Sequence, residues 1–523
     1  MHHLSRLAAL LLVLALIPAG ALGAGTTYLT CAIVATDDLA LRPLELNQRD
    51  VVSVLDLVYE GLFAMDDNYV PQPKLAYSYE FMNSGRRLQV VLRDDVTFHN
   101  GEKLTSNDVV ATLDYMYELS GFDSDLNSEY DLTDRGLYYS TFYSIKSWEA
   151  QDDRTLLFTL RRASFGSLYA LTFPILPASQ VDRDMPAGTG PYVYDGYERG
   201  SAIWLRANEK WWQRVPQIRN IRANIYRDSE KALAAFDAQD VDVAMTRSIN
   251  ASRYSGSLNS FSLSARTRQL EVLLLNRAYK YLKSDENGKN LVRDAIAYAI
   301  NRSELISSVY QGMATVAYTP IPAGTWVSNE STIHDIYDPL MAESLLDQAG
   351  WKMADDGKRY KNGEKMEDFR ILVYDEPGST VRTNAANKIA EQLEAVGIPA
   401  YVATWSRDAV LGKLKNADYS LVLCAFNFDV SPDPGFTVTS TGSCNYTRYR
   451  SDDMNNLLTQ LRSSVTQSDY QNVMRLIQDQ FEQDTPYICL YWRSGALLSR
   501  SAFTNARDIR ELELLRGVES FTD

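Results

Sequence analysis

A chain of 523 residues, 45% hydrophobic and 23% charged, is too long for one ordinary core and too apolar for disorder, so two or three substructures are expected. Its formal net charge of -15 leaves no basic stripe with which to neutralise phosphates, which argues against nucleic acid as a partner.

The chain opens MHHLSRLAALLLVLALIPAGALGAG, in which Arg6 precedes an apolar run from Leu7 to Ile17 and then small residues. This pattern predicts a secretory signal peptide over residues 1–23, cleaved after Gly23. The apolar run falls short of the roughly 20 residues a membrane-spanning helix needs. Export permits disulfides among Cys31, Cys424, Cys444 and Cys489. With no C-x-x-C and no Cys/His cluster, zinc is not indicated, and Cys424 with Cys444 is the first pair to test because closure would be local. Cys31 reads as a strand residue, since Tyr28-Leu29-Thr30 does not resemble the small-residue sequence preceding a lipid-anchor cysteine.

TTYLTCAIVA predicts a first strand, and VVSVLDLVYEGLF a helix whose buried face carries Val51, Val54, Leu55, Val58 and Leu62. LQVVL and TLLFTLRR predict two further strands. Between them lies FHNGEKLTSNDVV, whose His99 is the one histidine of the first three hundred residues outside the extreme N-terminus. Its neighbours are side chains that a catalytic or metal site would use. Yet Asn100-Gly101 is a turn signal, and Thr105 to Asp108 reads as a capping box, with the Thr105 hydroxyl accepting from the Asp108 N–H while the carboxylate reaches back. Each polar residue thus has a local structural task, and there is no H-x-x-x-H.

In the second half, Val272 to Leu275 form an unalternating apolar run, as expected of a strand covered on both faces. LVRDAIAYAINRSELISSVY carries one helical stripe of Val292, Ala295, Ile296, Ala299, Ile300 and Leu305. Helices are then predicted to stop at Gly350 and at Gly397, the latter followed by the strand AYVATW, with DYSLVLCAF a further strand. Alternating strands and helices point to α/β architecture.

Several stretches recur in a fixed order: Tyr59-Glu60-Gly61-Leu62, a proline before Leu75-Ala76, Phe98-His99-Asn100-Gly101 with a later Asp-Val, then GTGPYVYDGYERGSAIWLRANEKWW, VRDAIAYAINRSELI and QGMATVAYTPIP. In these landmarks the chain resembles the extracellular solute-binding proteins of family 5, which deliver dipeptides, oligopeptides and related solutes to ABC transporters. It departs from them at Asn301-Arg302, where the family usually carries Asp-Arg. The resemblance implies an α/β, two-lobed periplasmic-binding-protein-like fold (type II, cluster C) with an inserted domain and two hinge crossovers, near residues 268–272 and 487–492. The implied division is a discontinuous lobe I (26–56, 180–268 and 490–523), an extra domain (57–179) and lobe II (269–489). It also implies that His99 is scaffold. The glycines of GTGPY read as a backbone turn before a strand, because the third glycine and the Lys-Ser/Thr of a phosphate loop are missing.

Peptide-binding members place their amino-anchoring Asp in a Trp-x-x-Asp-x-x-Asp/Glu-Pro pattern. Here FNFDVSPDP puts Phe426 in place of the Trp, Asp429 in place of the Asp, and Asp433-Pro434 at the close, with one extra residue between them. The resemblance thus implies a peptide site of Asp429, Phe426, Asp433 and the upstream aromatic Trp405, with no catalytic residue, metal or cofactor. The residues alone also fit Asp429 capping its own loop and Trp405 ending a half-buried strand. Val422-Leu423-Cys424 is apolar where the family sets a carboxylate-facing arginine. The implied partners are a small peptide or other solute and the permease subunits of an ABC transporter, with the protein a monomer, exported to the periplasm or the cell exterior and held at the membrane through the transporter. Relatives that bind nickel chelates, haem or oligosaccharides keep a non-peptide ligand open. A secreted hydrolase is the remote alternative, as G-x-S-x-G and H-E-x-x-H are both missing.

Overall fold

Two long neighbouring strands organise the molecule. Phe261–Leu275 and Ile488–Ser499 pair antiparallel along their lengths and occupy the middle of an eleven-stranded mixed sheet. On one side of them follow Val243–Thr246, Leu29–Val34, Asn220–Tyr226, Ala202–Ala207 and Tyr192–Glu198; on the other lie Leu421–Asn427, Phe369–Tyr374 and Ala400–Trp405, while Ala314–Val316 adds to Ile488–Ser499. The computed structural model describes residues 28–520 apart from 37–38, 121–136, 258–259, 286–287, 377–378 and 502–508. The predicted signal peptide therefore lies outside the described residues.

The first half of Phe261–Leu275 pairs with residues 494–499, and the second half with residues 488–492 and with Leu421–Asn427. The ladder between the two central strands breaks between Arg266 and Leu270, so residues 267–269 do not pair with Ile488–Ser499, although Gln269 still pairs with Asn427. Val272 to Leu275 are fully buried, as a strand covered on both faces requires. These two strands are the crossovers of a two-lobed α/β binding-protein fold, and a separate antiparallel sheet of Ala76–Met82, Arg87–Leu92, Thr155–Leu160 and Ile145–Ala150 is the extra substructure.

Local chemistry accounts for most element ends. Gly350 and Gly397 take φ of +87° and +82° where their helices, Pro339–Gln348 and Val381–Ala395, stop. Three expectations are corrected. The first helix spans Arg49–Leu55 and leaves Val58 and Leu62 beyond its end, because the Leu57 and Val58 carbonyls accept from Tyr192 and Gly190 N–H groups at 2.9 Å each. The single stripe near residue 300 is two helices, Leu291–Ala299 and Arg302–Ser308, since the Asn301 side chain caps the second by accepting the Glu304 N–H. At the capping box the carboxylate does reach back, accepting the Thr105 N–H at 2.9 Å, but the Thr105 hydroxyl donates to Asp108 instead of accepting from it. Cys31 is a buried strand residue, and all four cysteines are free thiols, so Cys424 and Cys444 are not bonded to each other.

Candidate ligand-binding site

The His99 corner resolves into scaffold. His99 Nδ1 accepts the Gly188 N–H at 3.3 Å, which places the ring proton on Nε2, 3.0 Å from the Gly190 carbonyl. Its own N–H donates to the Gly188 carbonyl at 2.8 Å. Burial pushes its pKa down to about 4, so the ring is neutral at physiological pH. The turn it holds packs against the Tyr59-Glu60-Gly61 segment so closely that a Cβ on Gly188 would stand 1.9 Å from the Val58 carbonyl oxygen. Glu60, buried, accepts from the Trp212 indole at 2.9 Å and pairs with Lys74 at 3.2 Å. The landmarks of the first half are thus fasteners of one another.

The four predicted site residues take different roles. Asp429 follows the carboxyl end of Leu421–Asn427, where the Phe428 N–H donates to the Arg268 carbonyl at 2.9 Å, so it stands beside the first crossover strand. It is partly exposed, and its Oδ1 accepts the Ser431 N–H at 2.7 Å. Phe426 is a core residue, edge-on to Tyr487 and Phe436. Asp433 is engaged in its own turn, accepting from the Gly435 N–H, and pairs with Arg462 at 2.8 Å. Trp405 ends an edge strand with the Arg370 and Lys413 cations over its ring at 5.4 and 5.3 Å. The structure therefore gives Phe426 a packing role and Asp433 a turn role, and Asp433 shares the turn of Asp429, its N–H donating to the Ser431 hydroxyl at 3.3 Å.

What does converge on the crossovers is charge. On one side the fully buried Glu271 accepts two hydrogen bonds from Arg382, at 2.7 and 3.0 Å, and Arg382 meets Glu376 at 2.6 Å. Burial alone would depress the Arg382 pKa; the Glu271 carboxylate outweighs it and holds the guanidinium firmly charged. On the other side Glu511 pairs with Arg49 at 2.7 Å and Arg247 at 3.2 Å, while Arg247 reaches Asp50 at 2.8 Å. Burial opposes ionisation of Glu511, but these guanidinium groups keep its pKa below the ordinary carboxylate range. Arg510, next to Glu511, donates to the Asp66 and Met65 carbonyls at 2.7 and 2.8 Å, tying the C-terminal segment to the hairpin of Phe63–Met65 and Pro71–Pro73.

Two groups that the sequence did not single out face this region. Arg268, at the break in the ladder, is 9% exposed, and burial lowers its pKa although Glu511 opposes the shift. Asp56 borders a small pocket of about 30 Å³ together with Tyr59 and Tyr138. It is solvent-exposed at the mouth of this pocket, while the neighbouring protein and the Glu513 carboxylate push it up to about 8. A carboxylate inside the apolar stripe VVSVLDLVY was the available hint for Asp56; Arg268 fell within the expected crossover without a role being assigned to it.

Two groups of strands joined through paired crossovers, with charged side chains gathered at the junction, define a two-lobed binding protein. The chain belongs to the bacterial extracellular solute-binding proteins of family 5, whose middle-region model matches residues 70–448. It is 24% identical over 468 residues to the oligopeptide-binding protein AppA of Bacillus subtilis, covering 84% of this chain and 81% of that one. It is 28% identical over 303 residues, 54% of either chain, to heme-binding protein A of Haemophilus influenzae. Among solved structures it superposes on NikZ of Campylobacter jejuni in complex with Ni(L-His) with a TM-score of 0.71, at 21% identity over 95% of this chain and 100% of that one. Proteins of this family are transport-associated, periplasmic or extracellular binding proteins. No described helix is long and apolar enough to cross a membrane.

Proposed function

We propose that the protein captures peptides by closing its two lobes around them and hands them to the permease of an ABC importer, with Asp429 as the anchor for the peptide amino group and residues 26–56, 180–268 and 490–523 forming one lobe against 269–489. A receptor enclosing a peptide must satisfy its backbone and terminal charges, because burying them without partners costs several kcal/mol each, on the order of 2–7. Closure excludes water and makes the bound peptide stabilise the closed state over the open one. The observation that carries this reading is the place of Asp429, partly exposed at a strand end and joined through Phe428 to the Arg268 carbonyl on the crossover strand. Direct ligation of a metal by several histidines does not compete with it: of the histidines beyond residue 3, His99 is engaged in the scaffold and His334 faces Glu482 at 3.2 Å.

The test is thermal unfolding of the exported chain against di- to pentapeptides, their N-acetylated forms, oligosaccharides, haem and nickel with L-histidine, since a solute that binds the folded state raises the midpoint. Stabilisation by free peptides that is absent with acetylated peptides and lost in Asp429→Ala supports the proposal. Stabilisation by a sugar, haem or the nickel complex alone keeps the transport role and overturns the peptide assignment.

A further inference from the structure

The charge clusters at the crossovers balance except at one group. On the side of Asp50, the guanidinium groups of Arg49, Arg247 and Arg268 meet the carboxylates of Asp50 and Glu511. Both carboxylates are already engaged: Asp50 by Arg247 and by the Val34 N–H, Glu511 by Arg49, Arg247 and the Arg268 N–H. The nearby Glu513 is held by Arg510 at 2.8 Å and Arg516 at 3.2 Å. One buried positive charge is left over, and it is that of Arg268. Its guanidinium makes no hydrogen bond and no ion pair among the described residues, although the side chain is nine-tenths buried. The Glu511 carboxylate offsets only part of the cost of stripping water from it, and burial outweighs that help.

Its backbone stays in the strand, the carbonyl accepting the Phe428 N–H and the N–H donating to Glu511, at a break in the ladder to the second crossover strand. Residues 267–269 lie in the irregularity between Arg266 and Leu270, and such breaks re-aim side chains beside binding sites. Tyr138 borders the pocket beside Asp56, and its hydroxyl has no hydrogen-bond partner among the described residues.

We infer that Arg268, helped by the Tyr138 hydroxyl, receives the carboxylate of the captured solute. A guanidinium presents two parallel N–H groups to a carboxylate, and the bond is charge-assisted and desolvated, so it repays the burial of Arg268 when the solute is bound. The inference rests on the peptide reading for the identity of the anion, which is then the peptide C-terminus. It supplies that anion with a partner on the crossover strand, where Val422-Leu423-Cys424 offers none.

The experiment compares the intact chain with Arg268→Met and Tyr138→Phe, each alone and with trialanine, trialanine amide and nickel with L-histidine, by thermal unfolding and calorimetric titration. Ligand-free Arg268→Met should melt at or above the unmodified protein, because an uncompensated buried charge has been removed, and should lose the stabilisation by trialanine. Tyr138→Phe should weaken it several-fold, and trialanine amide should fail to stabilise the unmodified protein. An Arg268→Met protein that melts several degrees lower when ligand-free, or that binds trialanine as the unmodified protein does, overturns the inference. If trialanine has no effect but the nickel complex raises the midpoint and does so only with Arg268 present, the peptide reading falls and the anion site stands. If no probe shifts the unmodified protein, the two ligand-free midpoints decide: a higher or equal one for Arg268→Met upholds an arginine without structural function, and a lower one refutes it.

Discussion

The corner around His99 and the crossover around Arg268 hold similar kinds of side chain and behave in opposite ways. At His99 the polar groups are bonded to one another, apart from the buried Thr189 hydroxyl, which has no hydrogen-bond partner among the described residues. The ring closes on Gly188 and Gly190, the Asn100 side chain accepts the Glu102 N–H, and Asp108 takes two donors from Thr105 and one from Ala178. At the crossover a buried guanidinium has no such partners among the described residues. Residue type therefore does not separate scaffold from site in this molecule; what each charged group is bonded to says more, because a buried charge without an ion-pair or hydrogen-bond partner calls for a reason.

The strongest way to break the scaffold side of this comparison is Gly188→Ala. The added methyl would stand 1.9 Å from the Val58 carbonyl oxygen, a backbone atom that cannot swing aside, and the same turn carries the His99 bonds. A cost above ~4 kcal/mol is expected, placing the substitution among the severe class and leaving little folded protein. Urea unfolding of whatever folded material accumulates checks this, and a loss below ~1 kcal/mol would show that the two segments are not locked together.

A second substitution sharpens the contrast between buried arginines. Arg382 is 1% exposed and serves Glu271, which is wholly buried, so Arg382→Met strands a carboxylate with Arg493 no closer than 3.8 Å. Removing one partner of a buried pair typically costs about 3–5 kcal/mol. Arg268→Met, equally disruptive by residue type, is expected to cost nothing in the ligand-free protein. Chemical denaturation of both variants measures the difference; equal losses would erase the distinction between a partnered and an unpartnered guanidinium.

What was legible in the sequence divides along the same line. Helix stops at Gly350 and Gly397 could be read locally, because a positive φ favours glycine wherever the rest of the chain lies. The run Val272 to Leu275 announced a covered strand for a similar reason. The early end of the first helix could not be read, since the carbonyls of Leu57 and Val58 are captured by residues more than a hundred positions away. Asn301 looked like a polar interruption of a stripe until its side chain was seen to cap the next helix. The candidate site was least legible of all. Asp429 could be placed from the resemblance, whereas the case for Arg268 is a hydrogen bond not made, which exists only once the fold has buried the group.

The smallest of these effects is also the most specific to the His99 corner. Folding lowers the His99 pKa from about 6.5 to about 4, chiefly through desolvation, so between those values the unfolded chain binds more protons than the folded one. Stability from this group is fully present above pH 6.5 and is lost as pH falls towards 4, by up to about 3 kcal/mol if the whole shift is realised, and by less to the extent that the ring retains solvent. Asp56 runs the other way, its raised pKa favouring the folded state at low pH and withdrawing that support as pH rises towards 8, so the two groups act with opposite signs in the acid range. His99→Gln separates them. Urea unfolding from pH 4 to 7 should show the unmodified protein gaining stability with pH more steeply than the variant, with the two curves closest at the acid end. Parallel curves would mean that His99 titrates as in a peptide, and that the turn at Gly188 is held by its backbone bonds alone.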